Sequence, residues 1–425
     1  MSLFIGIDLG TSACRVAVLD AQEQLLGFSS TPLPESISQG LTCEQSPDDW
    51  WQACQTSLRQ ALQGLDAQKV FSIAVDGTSS TLLLCDTLGK VTGPALMYRD
   101  QRAQQQTQVI AAVAPATAAV HSPSSSLAKL LWMQDHAQLG TGLKALHQAD
   151  WVTGKLRGKY DCSDENNALK LGYDPVNRQW PDWLDKLDLP TDCLPTVVPA
   201  GTVLGAIDPD IVAQFGFSAD CQIVSGTTDS TATFIASGAH QLGDALTVLG
   251  STLVIKILAD KPIYSPELGV YSHRLGDRWL VGGASNTGGA VLKRFFDEKQ
   301  LEQLSAKIQL NKPVTLEYMP LLSAGERFPV NNPDLEPLMS PRPASDVDFL
   351  HALLESMSKI ESQGYAALRT LGAPMPTSIR SSGGGAKNPQ WQALRQKQLN
   401  VPFLTANHQE AAVGAALLAS RAVIK

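Results

Sequence analysis

Three observations predict an α/β protein made of two similarly organised halves. The first 77 residues read as strand, strand, strand, helix, strand. The tetrapeptide Leu9-Gly10-Thr11-Ser12 is echoed as Leu249-Gly250-Ser251-Thr252, and each copy joins two apolar runs near the start of a half. A repeated unit at an equivalent place in each half is the mark of duplication. The length of 425 residues suits two domains. Their expected extents are 1–236 and 237–407, the first completed by a closing helix over 408–425, with a cleft between them.

The elements follow in order. "SLFIGID", "ACRVAVLD" and "QLLGFSSTPL" are short apolar runs with tight connections, so they pair antiparallel. "SPDDWWQACQTSLRQALQGL" is a helix, with Ser46 as N-cap, Pro47 at the first helical position, and Asp48 and Asp49 in the first turn. Trp50, Cys54, Leu58, Leu62 and Leu65 give it one buried face. "VFSIAV" is a buried strand ending at "DGTSS", and "CQIVS" is another ending at "GTTDS". In the second half, "DALTVLGSTLVIKIL" is strand, turn, strand, and "RWLVGGAS" a further strand. Helices are expected at "AVLKRFFDEKQLEQLSAKI" and at "DVDFLHALLESMSKIESQGYAALRTLG", whose Phe349, Leu350, Leu353, Leu354, Met357 and Ile360 form a core stripe. The stretch 320–345 has no periodicity and reads as loop, ordered only if something packs on it. "SIRSSGGGAKNPQWQAL" is a strand, a triple-glycine turn and a helix, and Ala-rich "QEAAVGAALLASRAV" is a closing helix.

Composition narrows the partners. The net charge is −8 and basic residues form no block, which argues against nucleic acid. Seven scattered cysteines without a CxxC pair suit a reducing cytoplasm. No apolar run reaches membrane-spanning length. A homodimer is one expected assembly.

Four Gly/Thr/Ser/Asp turns carry the candidate chemistry. Asp8 ends a strand before Gly10, Thr11 and Ser12, a turn whose backbone and hydroxyls can approach phosphate oxygens, with Arg15 close by. An ordinary hairpin turn with a capping Asp explains the same residues. Asp229 in "GTTDS" stands where a general base aimed into a cleft would be, and equally where a helix N-cap would be. "SSGGGAKN" offers a flat approach for a nucleoside, though a tight turn accounts for it too. "DGTSS" could bind sugar hydroxyls through Asp76 and Ser79. Walker, HExxH, Cys/His and GxSxG patterns are missing. Phosphoryl transfer fits this set, because it needs positioning, a metal and a base rather than a covalent nucleophile.

With these residues in view, the chain resembles the FGGY family of carbohydrate kinases. "GIDLGTSACR" is similar to the family's first phosphate loop, and "SPSSSLAKLLWMQDH" to a family signature with Lys129, Trp132, Asp135 and His136 in place. "MYRDQRA" resembles Trp-x-Asp-x-Arg-Ala with Tyr98 in place of Trp, and "SDENNALKLGYD" resembles Asp-x-x-Asn-Ala. "LGST", "GGGAKN" and "EAAVGAALLA" resemble the second phosphate loop, the adenosine loop and the closing helix. The chain is shorter than most members, and "PLMSPRPASD" stands in place of the second, Gly-rich signature. The resemblance implies two duplicated actin-like (ribonuclease H-like) ATPase domains. It also implies ATP and Mg²⁺, with Asp229 taking the proton from a primary sugar hydroxyl and Asp8 holding Mg²⁺ through water. Gly10, Thr11, Ser12 and Arg15 would position the phosphoryl group, with Gly250, Ser251 and Thr252 opposite. Gly384, Gly385 and Asn388 would hold the nucleoside, and Ser79, Asp76 and Asp100 the sugar. Lys129 and Trp132 are expected to be structural.

The strand end "AVDGTSST" lacks the Gly-Gln pair usual in xylulose and glycerol kinases and is closer to ribulose kinases. D-ribulose is therefore the first expected substrate, with D-xylulose or another polyol second. Two rivals are an actin-like ATPase without a sugar substrate and a sugar sensor without turnover. The first leaves 97–103 and 122–136 unexplained, and the second predicts loss of the base.

Overall fold

The computed structural model describes residues 2–137 and 142–424. The chain begins with β1 (Leu3–Leu9), β2 (Ala13–Asp20), β3 (Leu25–Pro32), β4 (Ile37–Gln39), β5 (Thr42–Gln45), α1 (Pro47–Ala61) and β6 (Val70–Gly77). It continues through β7 (Leu82–Cys85), β8 (Ala95–Leu96), α2 (Gln104–Ala111), α3 (Ser126–Ala137), β9 (Lys144–His147), α4 (Gln148–Arg157) and β10 (Cys162–Asp164). Then come β11 (Thr196–Val198), β12 (Val203–Ala206), α5 (Pro209–Phe215), β13 (Gln222–Thr228) and α6 (Asp229–Ala236). The next elements are β14 (Asp244–Leu249), β15 (Leu253–Ala259), β16 (Tyr271–Leu275), β17 (Arg278–Ser285), α7 (Gly289–Lys293) and α8 (Glu298–Ser305). The chain closes with α9 (Asp346–Thr370), β18 (Ser378–Ser382), α10 (Pro389–Leu399) and α11 (Ala411–Val423). These elements form two compact units. One runs to Ala236 and resumes at Glu410; the other spans Ser237–Gln409.

The first unit is organised by a six-stranded sheet in the order β12-β13-β6-β1-β2-β3. β1, β2 and β3 are antiparallel neighbours, while β1, β6 and β13 run parallel. Side chains alternate between faces along a strand. Ile5, Ile7, Ile73, Val75 and Ile223 accordingly pack with Trp50, Cys54 and Leu58 of α1. Ala74 and Val224 point the other way, onto Ala415 and Ala419 of α11. That second face is lined with small residues because an Ala-rich helix lies close on it. A Cβ on Gly6 would sit 1.9 Å from the Ala412 carbonyl oxygen, so Gly6 sets how near α11 can come. The α1 expectation holds in position and buried face, but the Ser46 hydroxyl makes no cap bond. A second sheet, β4-β5-β8-β7-β9, was not foreseen; its strands are two to four residues long.

The second unit has the order β16-β17-β15-β14-β18. β14 and β18 are parallel, and β14, β15 and β17 are antiparallel neighbours. Read from the parallel strand, β18-β14-β15-β17 repeats β6-β1-β2-β3, so the two echoed turns occupy the same topological place. The α9 stripe is buried as expected. Beneath the sheet, the fully buried Arg395 and Glu361 form a two-armed ion pair at 2.5 and 2.7 Å. Glu361 also accepts from Thr247 on β14 and Arg395 donates to Ser381 on β18, tying together the two strands that lead into the glycine turns.

The single helix expected over 290–308 is two helices, α7 and α8. Asp297 breaks it by N-capping α8 in a reciprocal capping box with Gln300, while Phe296 turns into the core against Phe349. The 320–345 stretch is loop, and it is ordered from within. Phe328 is buried, and buried Glu326 accepts from the Ser285 hydroxyl and from the Asn286 and Arg327 amides.

Candidate active site

The register of the first sheet assembles a carboxylate group that sequence distance hides. Asp8 on β1 pairs directly with Asp76 on β6, and Asp76 pairs with Thr227 on β13. Asp229 follows as the first residue of α6. The three aspartates thus stand at the carboxyl ends of three adjacent parallel strands, where open α/β sheets place their ligands. Asp8 is 4% exposed and Asp76 fully buried, while Asp229 is half-buried, with its Oδ1 accepting from the Ser230 amide. By parity Asp8 and Asp76 share the α11 face with Gly6 and Ala74.

Burial raises both carboxyl groups above the ordinary range. Arg15, 3.1 Å from Asp8, opposes this for Asp8. Asp76 is raised further by the neighbouring Asp8 and Asp229 charges. Neither oxygen of Asp76 receives a donor from a neighbouring residue, so only a proton shared with Asp8 relieves it. Burial thus makes the ionised form of Asp76 costly in the folded protein. Because its folded pKa lies above the ordinary 3.8, the folded state resists ionisation, and stability falls as pH rises above that value. Asp76→Asn is therefore expected to raise the melting temperature at pH 8, by about 2–6 °C. The gain should shrink toward pH 4.5 in thermal scans. A variant that melts below the wild type at pH 8 would contradict this account of Asp76.

The turn between β1 and β2 is closed by the Gly10 amide donating to Ala13 O at 3.1 Å. Gln45 donates to Thr11 O at 2.9 Å and pins the turn from β5. Thr11 is half-buried and Ser12 exposed. Arg15 lies over the turn, within 3.1 Å of where a Gly10 Cβ would be, and also reaches Glu410 at 3.6 Å.

The loop after β6 is held on two sides. Thr78 donates from its amide and its hydroxyl to Gln148 Oε1 on α4, at 3.1 and 2.8 Å. Lys129 of α3 is fully buried, and its Nζ donates to Ser80 O at 2.8 Å and Met97 O at 2.7 Å. Burial lowers this lysine to about 7, partly offset by Asp100. Ser80 adopts φ +70°, a strained conformation for a serine. The Oγ atoms of Ser79 and Ser80 are buried without a partner. Asp100 is different. It is fully buried, its carboxylate is gripped by Arg102 at 2.7–3.0 Å, and it accepts from the Cys43 amide at 2.7 Å. Arg102 is in turn paired with Glu44. The expected sugar contact of Asp100 is thus corrected to a structural tie, because both oxygens are already engaged inside the unit.

In the second unit, the β14–β15 turn repeats the first. The Gly250 amide donates to Thr252 O at 3.1 Å, and Gly250 O and Ser251 O accept from Gly289 and Ala290 at the start of α7. Gly288, at φ +143°, permits this: its Cβ would lie 2.8 Å from Ser251 O. The triple-glycine loop passes close to the same turn, since a Cβ on Gly383 would meet Leu249 O at 2.7 Å. Gly384 is open, whereas a Cβ on Gly385 would strike Trp391 at 2.5 Å. The Asn388 side chain is engaged at both ends, capping α10 through Trp391 N and donating to Ser305 at 2.8 Å.

The structure thus groups Asp8, Arg15, Asp76, Asp229 and the 76–80 loop in one unit. It groups Gly250, Ser251, Thr252 and Gly384 in the other, and it sets Asp100 apart. Sequence reasoning missed Glu410 as an Arg15 partner and Gln148, whereas Lys129, expected to be structural, clamps the loop. Gln148 and Thr78 are 70 residues apart, and nothing local marks their contact.

The chain matches a family model described as the FGGY family of carbohydrate kinases, N-terminal domain, over residues 3–236. The corresponding C-terminal domain matches over residues 245–423. A xylulose kinase of Escherichia coli is 26% identical over 440 residues, covering 98% of this chain and 89% of that protein. A Bacillus subtilis gluconokinase is 21% identical, over 98% of this chain and 87% of its own length. The crystal structure of a xylulose kinase from Brucella ovis superposes with a TM-score of 0.89 at 24% identity, covering 99% of this chain and 90% of that one.

Proposed function

The chain belongs to the FGGY family of carbohydrate kinases, and from that premise we propose that it transfers the γ-phosphoryl group of ATP to a primary hydroxyl of a ketopentose. The observation that carries this is the row of Asp8, Asp76 and Asp229 at adjacent strand ends beside a glycine turn. D-xylulose is the first substrate to test, because xylulose kinases recur among the relatives. D-ribulose, which the strand end Asp76-Gly77-Thr78-Ser79 favours, is the second reading.

Asp229 is assigned as the general base. It accepts the hydroxyl proton as the sugar oxygen bonds to the γ-phosphorus and the bond to the ADP oxygen breaks. Gly10, Thr11, Ser12 and Arg15 are assigned to the phosphoryl group. Asp76 and Ser79 are assigned to the sugar. Within the second unit, Gly250, Ser251 and Thr252 are assigned to the phosphates, and Gly384, Gly385 and the Asn388 backbone to the nucleoside.

Among the described residues no group of three or more His, Cys, Asp or Glu side chains could hold a metal ion alone. This donor set fits Mg²⁺, which takes one or two carboxylates and otherwise keeps waters and phosphate oxygens. Asp8 would hold it, through water. Mg²⁺ bound with ATP supplies neutralisation of phosphate charge. No helix among the described residues is long and apolar enough to cross a membrane, and a cytoplasmic enzyme is the compartment we propose.

A coupled ADP-release assay over D-xylulose, D-ribulose, other ketopentoses, polyols and glycerol tests the reading. One ketopentose is expected to exceed the others by at least about tenfold in kcat/KM, with only slow ATP hydrolysis when sugar is omitted. Fast sugar-independent hydrolysis would instead favour an ATPase of another kind.

A further inference from the structure

Buried polar atoms are almost always paired, so several unpaired ones in one place need an explanation. Such atoms gather at the end of β6. The Oγ of Ser79, the Oγ of Ser80 and the Nε2 of Gln148 are buried without a partner, beside an Asp76 carboxyl whose one side-chain contact is with the acidic Asp8. Gln148 is fully buried at the first position of α4. Its orientation is not ambiguous. The Thr78 amide can only donate, so the end of Gln148 facing it at 3.1 Å is the carbonyl oxygen. The unpaired end is therefore the NH2, with two donors. Bracing Thr78 accounts for Oε1, but it gives no reason for a buried NH2 beside this loop. Acceptors, hydroxyls and an amide donor together match a polyol, whose hydroxyls each both donate and accept.

We propose that Gln148 is a specificity-determining residue of the sugar site. Its Nε2 donates to one substrate oxygen, while the Asp76–Ser80 loop, held in place by Gln148 Oε1 and Lys129, receives the neighbouring hydroxyls. This deepens the kinase reading and rests on it. The sequence resemblance offered no role for Gln148. Its side chain is placed by Thr78, and its backbone by Thr81, whose carbonyl accepts from the Gln148 amide at 3.2 Å.

The test compares wild type with Gln148→Glu and Gln148→Met, using the best ketopentose and each of its monodeoxy analogues. Gln148→Glu keeps an acceptor for Thr78 and removes the donor. Both variants are expected to lose about tenfold to a hundredfold in kcat/KM for the parent sugar, with the KM for ATP unchanged. For one analogue, the one lacking the contacted oxygen, Gln148→Glu should match the wild type and Gln148→Met should lose least, so that parent-over-analogue selectivity collapses in both. Should Gln148→Glu fail to fold, Gln148→Met, of similar length and uncharged, supplies the same ratio. A loss shared equally by the parent and every analogue means that Gln148 only braces Thr78, and it overturns the proposal, as does no loss at all. Absence of sugar turnover in the wild type would overturn the kinase reading together with this proposal. Wild-type turnover with unchanged selectivity in the variants overturns this proposal alone.

Discussion

Asp229→Ala is expected to lower kcat for sugar phosphorylation by about a thousandfold or more, while nucleotide affinity changes less than about twofold. Loss of general base catalysis is worth about 10²–10⁴ in rate. A thousandfold corresponds to about 4 kcal/mol of barrier. The bland role of Asp229, an acidic residue in the first turn of α6, is worth only about 0.3–1 kcal/mol of stability. The two roles therefore separate by magnitude and by observable. A capping role would shift the melting temperature by a few degrees and leave kcat within tenfold. Saturating-sugar ADP release gives kcat, and titration with a fluorescent nucleotide gives the affinity. Turnover kept within tenfold removes Asp229 as base.

Asp8→Asn should lower kcat by about a hundredfold to a thousandfold, with a signature of its own. The Mg²⁺ concentration for half-maximal activity is expected to rise several-fold, whereas Asp229→Ala leaves it in place. The reason lies in what surrounds each group. Asp8 is buried beside Arg15 and Asp76, so its carboxylate is set in one position, and a preorganised charge is worth more than a mobile one. The amide keeps the shape but loses the charge, and Arg15 keeps its pairing with Glu410 at 3.6 Å. Melting should not suffer much, since burial already penalises the Asp8 charge. A Mg²⁺ dependence identical to wild type would remove Asp8 from metal positioning.

Much of the fold follows from short-range pattern. Pro47 with Asp48 and Asp49 starts α1, and the spacing of Trp50, Cys54 and Leu58 buries its face. The Phe349–Ile360 stripe does the same for α9. The glycine echo at 10 and 250 marks two turns of equivalent topology, because a turn is closed by its own backbone: Gly10 to Ala13, and Gly250 to Thr252. Asp229 was legible as both a strand-end carboxylate and a helix start, and it is both. The break between α7 and α8 was half-legible. The Asp297–Gln300 capping box is local, but the apolar Phe295-Phe296 pair reads as continuing helix until Phe349 takes it into the core.

Which residues meet was a different matter. Asp76 joins Asp8 because β1 and β6 are parallel neighbours in one register, and that register is set by a whole sheet face, where Gly6 and Ala74 must lie under α11. A one-residue slip of β6 would turn Asp76 to the α1 side and away from Asp8. Asp100 looked equivalent to Asp76 in the chain, yet Arg102 and the Cys43 amide close over it. Nothing near Gln148 in the chain marks it, yet its side-chain carbonyl accepts from the Thr78 amide. Element type, turn chemistry and the two-unit plan depend on neighbours a few residues away, and those are written in the chain. The bond from the Cys43 amide that helps close over Asp100 and the pairing of the Gln148 side chain join groups 57 and 70 residues apart. Only the packed sheet and its covering helices bring such groups within hydrogen-bonding range.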